Sequence, residues 1–311
     1  MRKLFYLFIV AMCATMFTAC SDDDKDPLDD DGEGKEGVIT MTTEETDILW
    51  LGVETFNEGE IITIDWGDGN VEELKSFEYP DRDENGEDEI RYVIGNDEDY
   101  EYEIRHVYPD DKLYTITIKG KIKEFSAEYG LNSLDVSKCP ALTWLNCESN
   151  NLTSLDVSKN TALTHLDCHE NNLTSLDVSK NTALTYLDCS HNDLTSLDVS
   201  KNTALTELDC SGNNLTSLDV SKCTKLTSLN CGYNNLTSLD VSKNTKLTHL
   251  DCGDNNLTSS ALNQIFRDLP QVTSQTIYIR NNPGTETCDK SIAENKGWDV
   301  YTGKNNKQIN Y

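Results

Sequence analysis

One position of a 21-residue repeat between Leu142 and Leu257 carries aromatic, histidine and polar side chains in succession. Indole, imidazole and phenol rings stack on sugars and pack against protein partners, so such a row is suited to recognition. If the copies stack, each side chain points outward one strand spacing from the next. The alternative is that these positions vary because they face solvent. The row consists of Trp144, His165, Tyr186, Glu207, Ser228 and His249.

No arrangement that is typical of catalysis accompanies this row. The sequence contains no nucleophile–base arrangement, nucleotide-binding loop or paired-acid pocket, and we predict that the protein is not an enzyme. His165, His169 and His191 are expected in one region, but their spacing matches no metal site. We therefore predict no metal or cofactor on the repeats.

The repeat itself predicts a stack of coils. Each copy has two similar halves, LxxLDCxxNN and LTSLDVSKNTA, with apolar residues at the first, fourth and sixth places. The fourth and sixth places are two residues apart, as a short strand with one inward face requires, and an asparagine closes each half at a turn. One copy buries too little apolar surface to fold alone, so neighbours must stack. Six copies begin at Leu142, Leu163, Leu184, Leu205, Leu226 and Leu247.

The pattern LxxLxCxxNxLxxLDVxxNxx resembles leucine-rich repeats, specifically the bacterial 21-residue type with nested halves that is called IRREKO. The resemblance covers residues from about Ile122 to Leu257. It implies a parallel β-solenoid with short strands on two sides and little helix. It does not imply a ligand, because such repeats serve many partners.

Eleven cysteines in an exported chain would ordinarily suggest disulfides, but their spacing predicts otherwise. Six of them occupy the same inward place of successive copies, where a thiol acts as a small apolar side chain. Cys139 and Cys223 replace the asparagine that closes the second half. We therefore predict buried free thiols and, since no CxxC pair exists, no zinc site. The inward cysteines are Cys147, Cys168, Cys189, Cys210, Cys231 and Cys252.

The N-terminus predicts a lipid anchor. Residues 1–19 combine a basic start with an apolar run from Leu4 to Phe17, as a signal peptide does, and the sequence is then that of a precursor. Phe17-Thr18-Ala19-Cys20 resembles a lipobox, which implies cleavage before Cys20 and lipidation of that residue. Residues 20–37 form an acidic tether that resembles the export signal of surface lipoproteins. An ordinary signal peptide and a plain solvated tether are the alternatives.

Residues 38–120 predict a β-sandwich of seven short strands. The turn Trp66-Gly67-Asp68-Gly69 and the two last strands resemble a polycystic-kidney-disease (PKD) domain, which implies a spacer or a weak contact with carbohydrate or protein. Asp65 with Asp68, or the acidic tip 81–89 with Asp97 and Asp99, could hold Ca²⁺, but the spacing matches no known calcium loop and we favour a solvated acidic tip. The predicted strands are 38–42, 48–53, 61–66, 71–77, 90–94, 100–106 and 114–119.

The fold class is therefore mainly β: a PKD-like sandwich (38–120), a leucine-rich-repeat solenoid (121–259) and a small α/β cap (260–311). The cap should contain a helix over 260–269, a strand over 276–280, a short helix over 290–296 and a packed Trp298. We expect residues 122–130 to act as a degenerate half-repeat, so that the last sandwich strand leads into the first coil.

The net charge excludes some classes of binding partner. With 26 Lys plus Arg against 55 Asp plus Glu, the net charge is −29, which argues against nucleic acid and anionic membrane surfaces. The sequence predicts an outer-membrane lipoprotein, exposed at the cell surface, that binds a protein or glycan through the aromatic and histidine row. Glycan capture and a structural role in an outer-membrane complex are the alternatives.

Overall fold

The computed structural model describes residues 36–44, 48–82, 88–94 and 103–303. The chain begins there with two antiparallel sheets, because its short runs of β-branched and aromatic residues alternate between an inward and an outward face. Ten strands build this part: β1 (Gly37–Thr43), β2 (Ile48–Thr55), β3 (Ile61–Asp65), β4 (Val71–Lys75), β5 (Phe77–Arg82), β6 (Asp88–Ile94), β7 (Glu103–Val107), β8 (Tyr114–Gly120), β9 (Ile122–Glu128) and β10 (Leu131–Lys138).

The first sheet has the order β10-β1-β8-β3-β4, and the second begins β5-β6-β2-β9, with β7 also paired to β2. Buried side chains of both sheets, among them Ile39, Leu51 and Trp66, belong to one hydrophobic core. The ring of Trp66 stacks on His106, with centroids 4.3 Å apart, and the Tyr108 hydroxyl donates to the Trp66 carbonyl at 3.1 Å. The assignment of these sheets to the PKD family stays a prediction.

One predicted strand, 71–77, is wrong as a single element. The chain leaves the first sheet at Ser76, so that β4 and β5 lie in different sheets. The backbone N–H of Ser76 donates to the Glu60 carbonyl at 2.8 Å, and its hydroxyl donates to the Asn57 carbonyl at 2.9 Å. These two bonds fix a corner that a count of alternating apolar residues does not reveal.

The second sheet does not end at the repeats. β9 pairs antiparallel with β2 on one side and parallel with the first repeat strand on the other. From there each strand pairs parallel with the next at a register of 21 residues. The repeat strands are β11 (Trp144–Asn146), β12 (His165–Asp167), β13 (Tyr186–Asp188), β14 (Glu207–Asp209), β15 (Ser228–Asn230) and β16 (His249–Asp251).

The expectation of strands on two sides of the coil is wrong for these six copies, because only the LxxLDC half forms strands. In the other half, the backbone N–H of Ser179 donates to the Asp177 carboxylate at 2.9 Å. The N–H of Asn181 closes a turn on the Val178 carbonyl at 3.0 Å. Local turns of this kind take up the donors that a strand would give to its neighbour.

The six inward cysteines form the predicted column. Cys147, Cys168, Cys189, Cys210, Cys231 and Cys252 are fully buried. None of the nine described cysteines forms a disulfide. Each of these thiols donates to a carbonyl of the following turn, such as Cys168 Sγ to the Asp188 carbonyl at 3.5 Å. Burial raises the pKa of these thiols, so they remain neutral and pack as apolar groups.

Buried asparagines hold the two corners of each coil. The Asn171 side chain donates to the Cys147 carbonyl of the preceding coil at 2.8 Å and accepts the N–H of Leu152 at 3.0 Å. At the opposite corner, the Asn202 amide donates to the carbonyls of Val178 and Asn181 at 3.0 and 2.9 Å. The oxygen of Asn202 has no hydrogen-bond partner, although it is buried.

Cysteine can stand in for asparagine at the opposite corner because the asparagine oxygen has no partner there to lose. Cys223 is fully buried there, and its thiol keeps a donated bond to the Val199 carbonyl at 3.5 Å. Cys139, in the same place of the first coil, donates to the Ile122 carbonyl at 3.7 Å. A thiol supplies a donor without adding a second acceptor that nothing satisfies.

The C-terminal cap has the predicted order of elements: α1 (Ser259–Asp268), β17 (Gln275–Tyr278), α2 (Ser291–Glu294) and β18 (Trp298–Tyr301). β17 and β18 extend the parallel sheet beyond β16. The apolar face of α1 buries Leu262, Ile265 and Phe266, as its spacing predicts. Trp298 is buried and donates its indole N–H to the Pro270 carbonyl at 2.9 Å.

Residues 1–35, which include the predicted signal peptide, Cys20 and most of the tether, lie outside the described residues. So do Asp97, Asp99 and the middle of the acidic tip. Within the described ranges, no helix has both the length and the apolar character needed to cross a membrane.

The opposite corner yields a stability prediction. We expect Asn202→Ala to lower the free energy of unfolding by about 1–3 kcal/mol, because two donated bonds to buried carbonyls are lost. Asn202→Cys should cost clearly less, since it copies the arrangement of Cys223. Urea unfolding followed by circular dichroism measures both. Equal destabilisation by alanine and cysteine would contradict the role assigned to the donor.

Candidate ligand-binding face

The outer face of the repeat sheet follows from strand alternation. In β11 to β16 the middle leucine points inward, and the first and third residues point to the opposite face. The first residues align in register and form what we call the strand-first column. It contains every residue of the predicted row: Trp144, His165, Tyr186, Glu207, Ser228 and His249.

The rings of this column stack at its N-terminal end. Trp144 and His165 have centroids 5.2 Å apart and an interplanar angle of 19°. His165 and Tyr186 are closer, at 4.0 Å and 4°. Burial lowers the pKa of His165 to about 4, so its ring is neutral near pH 7 and stacks without a charge. Burial likewise raises the pKa of the Tyr186 phenol.

The column is not aromatic along its whole length. Exposed Glu207 and half-buried Ser228 separate the three stacked rings from His249. His249 contacts Tyr278 of the cap at 5.6 Å between centroids, and Tyr278 stacks on Tyr301 at 5.1 Å. The predicted row therefore consists of two aromatic groups with a polar stretch between them, and cap residues complete the second group.

A second column of outward side chains, most of them carboxylates, runs beside the strand-first column. The third residue of each strand forms the strand-third column, where Asp167, Asp188 and Asp209 follow one another at successive coils. Burial raises the pKa of all three carboxyls, and the neighbouring carboxylates add to the effect. The full column is Asn146, Asp167, Asp188, Asp209, Asn230 and Asp251.

Sequence reasoning did not single out the strand-third column, although its signal was the aspartate that precedes four of the six inward cysteines. A second group escaped it as well. The imidazole of His169 lies 2.8 Å from the Asp167 carboxylate and 3.4 Å from that of Glu148. Glu148 and His169 are 21 residues apart, so the period itself places them in neighbouring coils.

His169 is the histidine of this face that carries acidic neighbours. Burial alone would lower its pKa, but the hydrogen bond to Asp167 and the charges of Asp167, Asp188 and Glu148 outweigh burial and raise it. His165 instead belongs to the aromatic stack, and His191 is exposed with a positive φ of 50°. The three histidines therefore lie in three different environments.

A small pocket opens where the strand-first column meets the N-terminal sheet. Its volume is about 240 Å³, and its lining includes Glu54, Arg91, Glu124 and Trp144. Arg91 pairs with Glu54 and lies 3.5 Å from Glu124. Burial and the charge of Glu124 raise the pKa of Glu54, against the opposing effect of Arg91. These residues come from distant parts of the sequence, and no local motif marks them.

The far end of the face is closed by an arginine of the cap. Arg280 donates to the Asp251 carboxylate at 2.7 Å and lies 2.9 Å from that of Asp254. Its guanidinium carbon also lies 5.2 Å from the ring centre of Tyr233. Carboxylates at this end therefore have a cationic partner within the chain. Asp188 and Asp209, in the middle of the column, instead accept hydrogen bonds from serine and asparagine groups.

The residues considered for calcium have other contacts. The Asp65 carboxylate accepts the N–H of Gly67 at 3.0 Å, and that of Asp68 accepts Asn70 at 2.9 Å and lies 2.9 Å from His106. Residues 83–87 of the acidic tip, together with Asp97 and Asp99, lie outside the described residues. Calcium binding therefore stays a prediction.

A family model of leucine-rich repeats matches residues 182–223 and 203–244. The chain contains leucine-rich repeats. The assignment to leucine-rich repeats agrees with the parallel register and the buried leucines. The narrower IRREKO subtype stays a prediction. Repeats of this family are usually protein-interaction modules. None of the curated proteins compared with the sequence matches it.

Three similar solved structures carry such repeats or belong to the internalins. The functional domain of InlJ from Listeria monocytogenes, which includes a cysteine ladder, is 40% identical over 58% of this chain and 39% of that chain, with a TM-score of 0.47. A leucine-rich-repeat protein of Leptospira interrogans is 25% identical over 53% and 44%, with a TM-score of 0.47. The internalin InlF of L. monocytogenes is 20% identical over 59% and 61%, at 0.43. The matched region spans less than half of the first two.

The lowered pKa of His165 predicts an acid-sensitive stack. The unfolded chain takes up a proton at this imidazole below about pH 6.5, whereas the folded protein does so only near pH 4. Stability contributed at this residue is therefore lost as pH falls from 6.5 to 4. We expect the Tm difference between His165→Phe and the wild type to shift in favour of the variant over that window, and to stay constant above pH 7. A difference that is independent of pH would contradict the assignment.

Proposed function

We propose that this protein is a cell-surface lipoprotein that binds a protein partner through the outer face of its repeat sheet. The observation that carries the proposal is the alignment of three stacked rings beside a column of buried and half-buried carboxylates. Partly exposed rings offer large contact area at little conformational cost, which is typical of residues that dominate binding energy. The proposal assigns no catalytic residue.

The arrangement favours a partner with basic and apolar groups. The stacked rings present flat apolar surface. The carboxylates of Asp188 and Asp209 lie on the same face, in the neighbouring strand-third column. A lysine or arginine side chain of a partner can contact a ring and a carboxylate at once. The net charge of −29 adds long-range attraction for such a partner.

Glycan capture is the second candidate, and the pocket beside Trp144 favours it. An indole wall with Glu54, Arg91 and Glu124 around it supplies a stacking surface together with charged hydrogen-bonding groups. Its volume of about 240 Å³ is below the range of sites for drug-sized ligands, which begins at roughly 300 Å³, so it suits one sugar unit of a chain.

The location at the membrane rests on the sequence alone. A lipid on Cys20 would tether the protein, and the acidic stretch after it would let the β-structure stand off the surface. The outer face of the outer membrane is the proposed side. Display of this kind would present the repeat sheet to host, matrix or neighbouring cells.

The face is tested by removing its rings. We expect Trp144→Ala and Tyr186→Ala each to weaken binding at least tenfold, because each removes ring area from the stack. Detergent-solubilised protein is applied to panels of host proteins and of polysaccharides, and the affinity for each retained ligand is then measured. Retention of proteins supports the first candidate, and retention of polysaccharides alone supports the second.

Tyr129→Ala is the matched control, because this ring is 58% exposed and lies outside the strand-first column. Its affinity should equal that of the wild type, and circular dichroism should show the folded spectrum for all three variants. Unchanged affinity in both Trp144→Ala and Tyr186→Ala would refute the proposed binding face.

The anchor has its own test. We expect cells fed an alkyne-tagged fatty acid to label the wild-type protein, and Cys20→Ala to abolish the label and the membrane association. Protease added to intact cells should digest the wild type if it is displayed outside. A label that persists in Cys20→Ala would refute lipidation at this residue, and resistance to protease would refute surface display.

A further inference from the structure

Three potential metal ligands converge on the outer face of the first two coils. One donor atom each from Glu148, Asp167 and His169 lies within 4.8 Å of the other two. Nitrogen and oxygen ligands of a zinc-like ion lie about 2.0–2.2 Å from it, so two of them are separated by up to about 4.4 Å. The contacts of His169 Nδ1 to Asp167 at 2.8 Å and to Glu148 at 3.4 Å already meet that limit. The remaining pair, Glu148 and Asp167, lies within 4.8 Å, close to the same limit.

The backbone holds the three ligands in place. Asp167 ends β12, and its carboxylate accepts the N–H of His169 at 3.1 Å, which fixes both side chains on one face. Glu148 comes from the preceding coil, and the N–H of Ser149 beside it donates to the His169 carbonyl at 3.0 Å. Asp167 is buried at 8% exposure. Ligands that regular hydrogen bonding positions in this way bind a metal with little rearrangement.

The charge around the group points independently to a cation. Asp188 of the following coil adds its negative charge to those of Glu148 and Asp167 acting on His169. In the part of the chain that the structure describes, no lysine or arginine forms an ion pair with Glu148, Asp167 or Asp188. The contrast is Asp251 in the same column, which has Arg280. A divalent ion would neutralise the excess charge.

We infer that Glu148, Asp167 and His169 form a binding site for a divalent transition-metal ion of the zinc class. One imidazole with two carboxylates suits Zn²⁺ and its first-row neighbours, whereas Ca²⁺ and Mg²⁺ prefer a set made only of oxygens. Three protein ligands leave a coordination position for water or for a group of another molecule. Asp167 also belongs to the strand-third column, but none of the three ligands belongs to the ring stack, so the site stands whether or not the proposed binding face holds.

The proposed site would be an exception to the expectation of no metal on the repeats. That expectation considered only the histidines, among which His165 and His191 have other environments. The relevant set consists of one histidine, the acidic residue 21 positions before it and the aspartate two positions before it. The repeat period and strand alternation together specify this set.

Zinc titration of the full chain in detergent tests the inference. Isothermal titration calorimetry compares the wild type with His169→Ala, Glu148→Gln and the control His191→Ala, which removes an exposed histidine. Each protein carries the same cysteines, so zinc held by thiols cancels in the comparison. We expect His169→Ala and Glu148→Gln to lose one equivalent or to bind at least about tenfold more weakly, and His191→Ala to match the wild type.

Glu148→Gln keeps the size of the side chain, so it remains informative if His169→Ala perturbs folding, which circular dichroism reports. Excess Ca²⁺ should not displace the zinc. Equal zinc stoichiometry and affinity in the wild type and both ligand variants would overturn the site and leave His169 as an ion-pair partner only. Equal loss in His191→Ala would overturn it too, because the binding would then be non-specific.

Discussion

The structure depends on a single requirement: buried backbone groups at each corner must find partners in the next coil. Asparagine side chains meet it at the strand-side corner, where the amide of Asn171 reaches the Cys147 carbonyl and its oxygen takes the N–H of Leu152. An unsatisfied buried peptide group is costly, so this arrangement fixes the spacing between coils. Every column of side chains, apolar or polar, inherits that spacing.

Stacking is favourable for some columns and unfavourable for others. Leucines and thiols gain contacts when identical groups meet at successive coils, and the rings from Trp144 to Tyr186 do as well. Carboxylates at the same spacing repel, and burial raises the pKa of Asp188 and Asp209. The protein thus keeps an electrostatically unfavourable track beside a favourable one on its outer face. That pairing is the physical basis of the proposed recognition.

The period predicted most of the repeat region. It identified the inward leucines and cysteines, the corner asparagines and the outward position of the strand-first column. The cap helix was predicted separately, from its helical apolar spacing. Two expectations about strands were wrong. The second half of each copy closes on local turns instead of pairing, and Ser76 divides one predicted strand between two sheets. In both cases side-chain and turn hydrogen bonds override alternation, which sequence periodicity does not encode.

The candidate sites also differ in whether the sequence could have predicted them. The group around His169 follows from register and was missed only because acidic residues were not considered with the histidines. The pocket formed by Glu54, Arg91 and Glu124 was beyond reach, since β9 brings together residues that no sequence spacing links. The assignment of β1 to β8 to a known family likewise needs more than turn residues.

The polar stretch at Glu207 and Ser228 separates the two aromatic groups by whole coils, and each coil contacts only its neighbours. Recombination that deletes or duplicates one copy in the gene would therefore leave both ends intact. It would change the distance between the two ends in steps of about 4.8 Å. The length of the face can therefore change during evolution while the aromatic groups at both ends stay the same.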